Sequence, residues 1–320
     1  MQKVAFIILH YGSNRDTLEC LESLSQVEVP KDTNVEIIVV DNGSRKKFIF
    51  DQPKNSLSKK RHAEQVGDKF STNIKIIRNK ENLGFAQGNN VGIKSALKNG
   101  ADYVLILNND TIVHRSLIEE LLSVIKSDEK VGVVVPKIYF AKGFEFHKNR
   151  YKREELGHVL WYGGGEIDWR NVIGHHKGVD KVDRGQFDNS SETSFASGCC
   201  MMVKSEVFEK LGFFDEKYFL YYEDADLSER VKKAGYKIVY APKAIIWHKN
   251  AGSAGGSGSK LQDYYITRNR LLFGMRYAPL RAKLALIKEG IVLLTKGRIW
   301  QKRGILDFST GRFGKGSYPI

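Results

Sequence analysis

Short apolar runs alternating with helix-like segments restrict this chain to a narrow set of folds. Val4 to Leu9, Glu36 to Val40, Ile74 to Ile77, Tyr103 to Leu107 and Val131 to Val135 read as buried strands, the last stopping at Pro136. Between them, Asn14 to Ser25 carries Leu18, Leu21 and Leu24 at helical spacing, with Ser13 or Asn14 available as N-cap. Asn89 to Lys98 reads as a helix, and Ser116 to Lys126 places Leu117, Leu121, Leu122 and Ile125 on one helical face. Arg45 to Asn73 is polar, Lys-rich and aperiodic, and reads as a long loop with room for one helix. The alternation predicts an α/β fold, a mostly parallel sheet with helices on its faces.

The second half changes character. Lys142 to Asn189 is rich in Gly, His, charged and aromatic residues, and predicts irregular strands with a loop; the pair His175-His176 reads as a loop feature near substrate. Thr193 to Val203 is strand-like, and Glu206 to Leu211 is a short helix begun by Ser205. Asp224 to Ala234 predicts a helix that Gly235 closes. Tyr236 to Tyr240 and Ala244 to Trp247 read as two strands separated by Pro242, and the Gly/Ser run Gly252 to Ser259 as a flexible loop.

Two acidic motifs carry the chemistry. Asn108-Asn109-Asp110 ends the strand Tyr103 to Leu107, and the carboxyl edge of an open α/β sheet is where ligands bind. Glu223-Asp224-Ala225-Asp226 opens a helix, whose N-terminal end favours ionised carboxylates. A divalent cation held by Asp110 would neutralise a departing diphosphate, and a carboxylate is suited to take the proton of an acceptor hydroxyl. Together they point to glycosyl transfer from a nucleotide sugar. Each motif also has a plain structural use, since Asn and Asp make turns and carboxylates cap helices. For Asp226 the structural use, an ion pair to Arg230 one turn on, is the better reading; for Asp224 it is catalysis. His248 ends the run Ala244 to Trp247, and with Asp110 it would complete a mixed oxygen and nitrogen site.

Asp41, at the end of its strand, is placed to accept from a base N–H or a ribose hydroxyl, and Gly84 and Gly88 allow close approach of backbone to a phosphate or ribose. Gly84-x-x-x-Gly88 is not the dinucleotide fingerprint, which disfavours an NAD enzyme. A sugar-1-phosphate nucleotidyltransferase would want a Gly-rich basic loop after its first strand, and His10 to Asn14 is not one.

Charge adds a partner. The net charge is +14, and from Lys260 onward 13 Lys and Arg stand against three acids, Asp263, Glu289 and Asp307. Leu, Ile, Val, Phe and Trp interleave these cations at roughly helical spacing, which favours contact with an anionic membrane surface over an inert basic face. The alternatives for the apolar residues are the catalytic domain or a second subunit, giving a homodimer. Nucleic-acid binding would also explain the charge, but no recognition-helix, zinc or RNA-binding signature accompanies it, and no nucleic acid is expected. Apolar content of 42% excludes wholesale disorder. The N-terminus lacks signal-peptide character, and the longest apolar stretch, Leu284 to Leu294, is broken by Lys288 and Glu289. Adjacent Cys199 and Cys200 with a lone Cys20 suit a reduced, cytosolic protein.

Taken in order, the segments Val4 to Tyr11, Val40 to Ser44, Glu81 to Ala86, Leu107 to Thr111, Ala196 to Met202, Gly212 to Glu216, Tyr222 to Leu227 and Trp247-His248 resemble the inverting family-two glycosyltransferases of GT-A fold, particularly their bacterial rhamnosyltransferase-like members. The resemblance implies a mixed, mostly parallel sheet flanked by helices, with a catalytic domain over 1–259 and a basic helical C-terminal extension over 260–320. Within the domain, 1–140 would form the nucleotide-sugar half and 141–259 the acceptor half.

It also implies a nucleotide-sugar pocket at Tyr11, Asp41, Asn82, Gly84, Asn108 and Asn109, and a metal, Mg2+ or Mn2+, at Asp110 and His248. Asp224 would be the base, with Glu223 beside it, and Gly198, Phe214 and Asp215 would line the acceptor side. Asn108 stands where the family's Asp-x-Asp motif has its first acid, which predicts weak metal binding or binding only with donor. The loop 45–73 is longer than the family usually has there. The expected enzyme lies at the inner face of the cytoplasmic membrane. It moves a sugar, first of all L-rhamnose from dTDP-L-rhamnose and alternatively one from another UDP-, dTDP- or GDP-sugar, to a glycan or lipid-linked acceptor.

Overall fold

The computed structural model describes residues 1–50, 74–250 and 258–319, so most of the expected loop 45–73 and of the Gly/Ser run lies outside the described residues. Its elements are β1 Gln2–His10, α1 Asn14–Ser25, β2 Thr33–Asp41, β3 Ile74–Arg78, α2 Gly84–Lys98, β4 Tyr103–Asn108, β5 Thr111–Val113, α3 Leu117–Ile125 and β6 Val131–Phe140. After these come β7 Leu160–Tyr162, β8 Gly165–Asp168, β9 Ile173–His176, β10 Ser191–Glu192, β11 Cys200–Lys204, α4 Ser205–Leu211, α5 Glu223–Lys233 and β12 Lys237–His248. Three helices close the chain: α6 Lys260–Tyr277, α7 Leu280–Lys296 and α8 Ile299–Ser309.

The main sheet runs β10-β12-β6-β11-β4-β1-β2-β3, with β5 on β12 and β7 on β6. The strands β3, β2, β1 and β4 are parallel, as are β6 and β12, and β11 is antiparallel between the two groups. This is the mixed, mostly parallel sheet that the sequence predicts. Val4 to Ile8 and Val104 to Ile106 are wholly buried because helices cover both faces of their strands, which is why these runs are apolar without alternation. The chain winds outward from β1 to β3 and then returns to β1's other side as β4. Ligands in open sheets bind in the crevice outside the strand ends at such a reversal.

Several boundaries differ from expectation. The β6 strand does not stop at Pro136 but continues to Phe140, because Pro136 lies opposite Ala241, where β12 bulges and no ladder bond from the proline is needed. For the same reason β12 is one strand rather than two: Pro242, Lys243 and Ala244 form the bulge, and pairing with β6 resumes at Ile245. The α2 helix begins at Gly84, not Asn89, and His175-His176 belong to strand β9 rather than a loop. Of Thr193 to Val203, the part in the main ladder is β11 from Cys200. The three cysteines are free and buried.

The helices after residue 260 are built into the body. Leu271, Leu272 and Phe273 of α6, Leu286 of α7 and Ile305 of α8 share an apolar cluster with Val172, Tyr218 and Ala225. Several of the segment's cations are committed inside the protein, Arg270 to Glu289, Arg276 to Asp215 and Asp226, and Arg298 to Asp263.

Candidate active site

Strands β1, β2 and β4 end together, with His10 paired to Asp41 in register, and this edge forms the floor of the site. Asp41 is fully buried, and its carboxylate accepts from the amides of Ser44 and Phe48, both at 3.0 Å, and from the Arg78 guanidinium. Burial works to raise its proton affinity, but the amides of Phe48 and Ser44, the Ser44 hydroxyl and the Arg78 charge outweigh it, so its pKa lies below the ordinary carboxylate value. Thus Asp41 holds the loop that follows β2 and has its oxygens engaged by the protein itself. Asn82 is likewise committed locally. Its side-chain oxygen accepts from Gly84 N at 2.9 Å and Asn42 Nδ2 at 3.0 Å.

Gly84 departs from its expected use. Its φ is +79°, and a Cβ there would lie 2.4 Å from the carbonyl oxygen of Phe219, whose oxygen also accepts from Phe85 N at 2.7 Å. The glycine is required by close approach to Phe219, not to a phosphate or ribose. Tyr11, 42% exposed, stands just beyond the end of β1.

The turn after β4 distributes its three residues differently. Asn108 N donates to Cys199 O at 2.9 Å, joining β4 to the segment before β11. Asn109 turns toward α1, where its Nδ2 donates to Thr17 Oγ1 at 2.8 Å, and Thr17 in turn meets His10 Nδ1 at 2.7 Å. Asp110 turns to β12: its Oδ1 is 3.1 Å from His248 Nε2, and its carbonyl accepts from Lys249 N at 2.9 Å. The antiparallel pair β5–β12, with Thr111 opposite His248, creates this meeting. Lys249 is buried and ion-paired to Asp16 and Glu19, tying the end of β12 to α1.

Among the described residues no group of three or more His, Cys, Asp or Glu side chains could hold a metal alone. Asp110 and His248 offer one carboxylate oxygen and one imidazole nitrogen. Their 3.1 Å separation is close to that of neighbouring corners of an octahedron with bonds of about 2.1 Å, so the pair fits part of a divalent-cation site whose other ligands come from elsewhere. Trp161 closes one side, its ring edge-on to His248 at 4.7 Å and to His176 at 4.3 Å. Burial lowers the His176 pKa to about 4, so this ring is neutral near pH 7. Neither the Trp161 nor the His176 contact has a sequence signal beyond an aromatic-rich stretch.

The α5 helix starts from a strained turn. Tyr221 and Tyr222 both have positive φ, +69° and +72°, a region that bulky side chains rarely occupy. Asn269 of α6 holds the turn by donating from Nδ2 to the carbonyls of Leu220 and Tyr221, at 2.8 and 2.9 Å. Arg268, wholly buried against the rings of Tyr264 and Tyr265, reaches Lys217 O. The Tyr222 hydroxyl donates to Val172 O at 3.0 Å. Nothing local in the sequence marks Arg268-Asn269 for this role, because its partners lie some fifty positions away.

This clamp sets Asp224. Its Oδ2 accepts from Gly198 N at 3.0 Å and its Oδ1 from Ala225 N at 2.8 Å. Burial raises its pKa, and the Gly198 and Ala225 amides offset part of the rise. Glu223 is more deeply buried, its Oε2 has no partner, and burial together with the Asp224 charge raises its pKa well above the usual value. Asp226 is structural, as expected, paired to Arg230 at 2.9 Å and also to Arg276 and Tyr277.

The three residues expected to line an acceptor side part company. Gly198 does face Asp224, and a Cβ there would crowd Phe85 at 3.0 Å. Phe214, however, is only 2% exposed, edge-on to Phe85 and bonded through its backbone to Asn90, so it supports the wall from behind rather than lining it. Asp215 is occupied by Arg276 at 2.7 Å and by the Lys217 amide.

A mixed sheet that reverses beside β1, with a carboxylate–imidazole pair and a pre-set carboxylate facing the same edge, has the architecture of a GT-A transferase. The sequence profile described as Glycosyltransferase like family 2 matches residues 2–274, and the chain belongs to that family and is a glycosyltransferase. It is 24% identical over 273 residues to the low-salt glycan biosynthesis hexosyltransferase Agl10 of Haloferax volcanii, covering 85% of this chain and 75% of that one. It is 24% identical over 312 residues to poly-beta-1,6-N-acetyl-D-glucosamine synthase of Staphylococcus aureus, covering 93% of this chain and 65% of the synthase. A shorter stretch of 59 residues is 48% identical to N-acetylglucosaminyl-diphospho-decaprenol L-rhamnosyltransferase of Mycobacterium tuberculosis, 18% of this chain and 19% of that one. Among solved structures, S. aureus TarS 1-349 in complex with UDP-GlcNAc superposes with a TM-score of 0.56 at 15% identity, over 96% of this chain and 79% of that one. GalNAc-T7 with UDP, GalNAc and Mn2+ superposes with a TM-score of 0.56 at 14% identity, over 97% and 57%.

Proposed function

We propose that this enzyme transfers one sugar from a nucleoside diphosphate donor to a hydroxyl of a glycan or lipid-linked acceptor, with inversion, in cell-surface polysaccharide synthesis. One observation carries the reading: the Asp224 carboxylate, held by Gly198 N at 3.0 Å, has its proton affinity raised by burial at the start of α5. A carboxylate so placed binds a proton better than a surface Asp, which is what a general base for an alcohol needs. Asp224 takes the acceptor proton as the acceptor oxygen bonds to the anomeric carbon and the bond to the diphosphate oxygen breaks. A single displacement of this kind inverts the anomeric centre.

Asp110 and His248 would hold a divalent cation, Mn2+ or Mg2+, which supplies positive charge against the departing diphosphate. Asn108, as a neutral amide, adds little to its affinity. Tyr11 and the loop that Asp41 and Asn82 hold in place bound the nucleotide side, with the 1–140 segment as donor half. L-rhamnose from dTDP-L-rhamnose is the first sugar to test, supported by the 59-residue match to the mycobacterial rhamnosyltransferase. A different UDP-, dTDP- or GDP-sugar is the alternative, and protection from thermal unfolding by a panel of nucleotide sugars separates them. A lipid-linked acceptor would place the enzyme at the inner face of the cytoplasmic membrane.

Asp224→Asn tests the mechanism. Transfer should fall ~10²–10⁴-fold while donor protection and fold persist. Transfer within a few-fold of wild type would remove Asp224 from the role of base.

A further inference from the structure

The α7 helix is apolar on two opposite sides, and only one of them is used. Ala282 and Leu286 are buried, and Leu286 packs so close to Gly274 of α6 that a Cβ there would meet its Cδ1 at 2.2 Å. Glu289, on that same inward side, pairs with both terminal nitrogens of Arg270 at 2.8 and 2.9 Å. The outward side carries Leu280, Leu284, Ile287, Ile291 and Leu294, which recur every three or four residues in a single stripe and are between 37% and 72% exposed. A contiguous apolar strip of this length on a water-facing helix marks a contact surface.

Charge decides what meets it. Arg281 and Lys288 border the stripe on one side and Lys283 on the other, and the helix's one acid, Glu289, is turned inward to Arg270. A second copy of the stripe would bring like charges together along both borders with no acid to answer them. An anionic lipid surface answers all of them and takes the apolar stripe at the acyl boundary. Among the described residues no helix is long and apolar enough to cross a membrane, which fits a helix lying in the interface plane.

We propose that α7 is a membrane-docking helix, seated on an anionic bilayer through Leu280, Leu284, Ile287, Ile291 and Leu294 with Arg281, Lys283 and Lys288 at the headgroups. The cluster that buries Leu286 also holds Val172, whose carbonyl receives the Tyr222 hydroxyl beside Glu223 and Asp224. The docked face is therefore joined to the turn that carries Asp224. That it serves delivery of a lipid-linked acceptor rests on the transferase reading; the docking itself does not.

Flotation of the full chain with vesicles of phosphatidylcholine, with and without phosphatidylglycerol, tests it. Binding should appear with phosphatidylglycerol and weaken as salt rises. The double variant Leu284→Ser/Ile291→Ser, at exposed positions that leave the inward face intact, should lose roughly tenfold or more of vesicle affinity. Arg281→Gln/Lys288→Gln should abolish the preference for phosphatidylglycerol. No flotation, equal flotation with both vesicles, or flotation untouched by the serine variant would overturn the proposal. So would a wild-type dimer, seen by light scattering, that the serine variant splits, since a second copy would then own the stripe. Transfer to a water-soluble acceptor should be unchanged in both variants. Absence of any transfer or donor hydrolysis by the wild type would instead defeat the transferase mechanism, whatever the vesicles show.

Discussion

His248 Nε2 lies 3.1 Å from Asp110 Oδ1, a contact between two strand ends that no local pattern joins. The short antiparallel ladder of β5 on β12 makes it, by setting Thr111 opposite His248. If the pair shares a cation, the two residues are unequal partners, because only the aspartate brings a full negative charge.

Asp110→Ala should therefore weaken metal-dependent donor binding more than His248→Ala does. Isothermal titration of a nucleotide sugar with and without Mn2+ measures both. Transfer that persists unchanged after thorough chelation would take the metal out of the mechanism.

The raised pKa of Asp224 sets a pH dependence. The base must be ionised, so transfer should rise with pH through the Asp224 pKa. That limb should lie above the range near 3.9 where an ordinary Asp titrates. A pH profile of kcat/KM with no acid limb above the ordinary range would contradict the assignment.

Glu223 offers a stability test. Its pKa is raised in the folded protein, so its stabilising contribution is complete below the unfolded value and is lost as pH rises toward the folded one. Glu223→Gln removes that loss. The Tm difference, variant minus wild type, should grow from acid to neutral pH, and a constant difference would mean that Glu223 titrates normally.

Asn269 positions the base without touching it. Asn269→Ala leaves the Leu220 and Tyr221 carbonyls without their donor at a strained turn and should cost about 1–3 kcal/mol of stability. Released from the clamp, Asp224 should lose kcat with little change in donor protection. An equal loss of donor binding would point to general unfolding instead.

Much of this architecture is written locally in the chain. Continuous apolar runs identify strands covered on both faces, and the abrupt change at Asn108 puts polar groups at the sheet's carboxyl edge, because both signals depend on neighbours a few residues away. The start of α5 with its acids, and the Asp226–Arg230 pair one turn apart, are legible for the same reason. The division of labour among those polar residues is not local. Asn109 goes to Thr17 and Asp110 to His248 through the register of strands and the seat of α1. Phe214 sits behind the wall because Asn90 holds both sides of its peptide backbone, and Gly84 is spent on Phe219. Pro136 stays within a strand because a bulge in β12, distant in sequence, removes the need for its missing N–H. Which residues end a strand or open a helix follows from short-range periodicity and side-chain chemistry. Which of them face one another depends on strand register and helix packing between distant segments, and only the folded chain decides that.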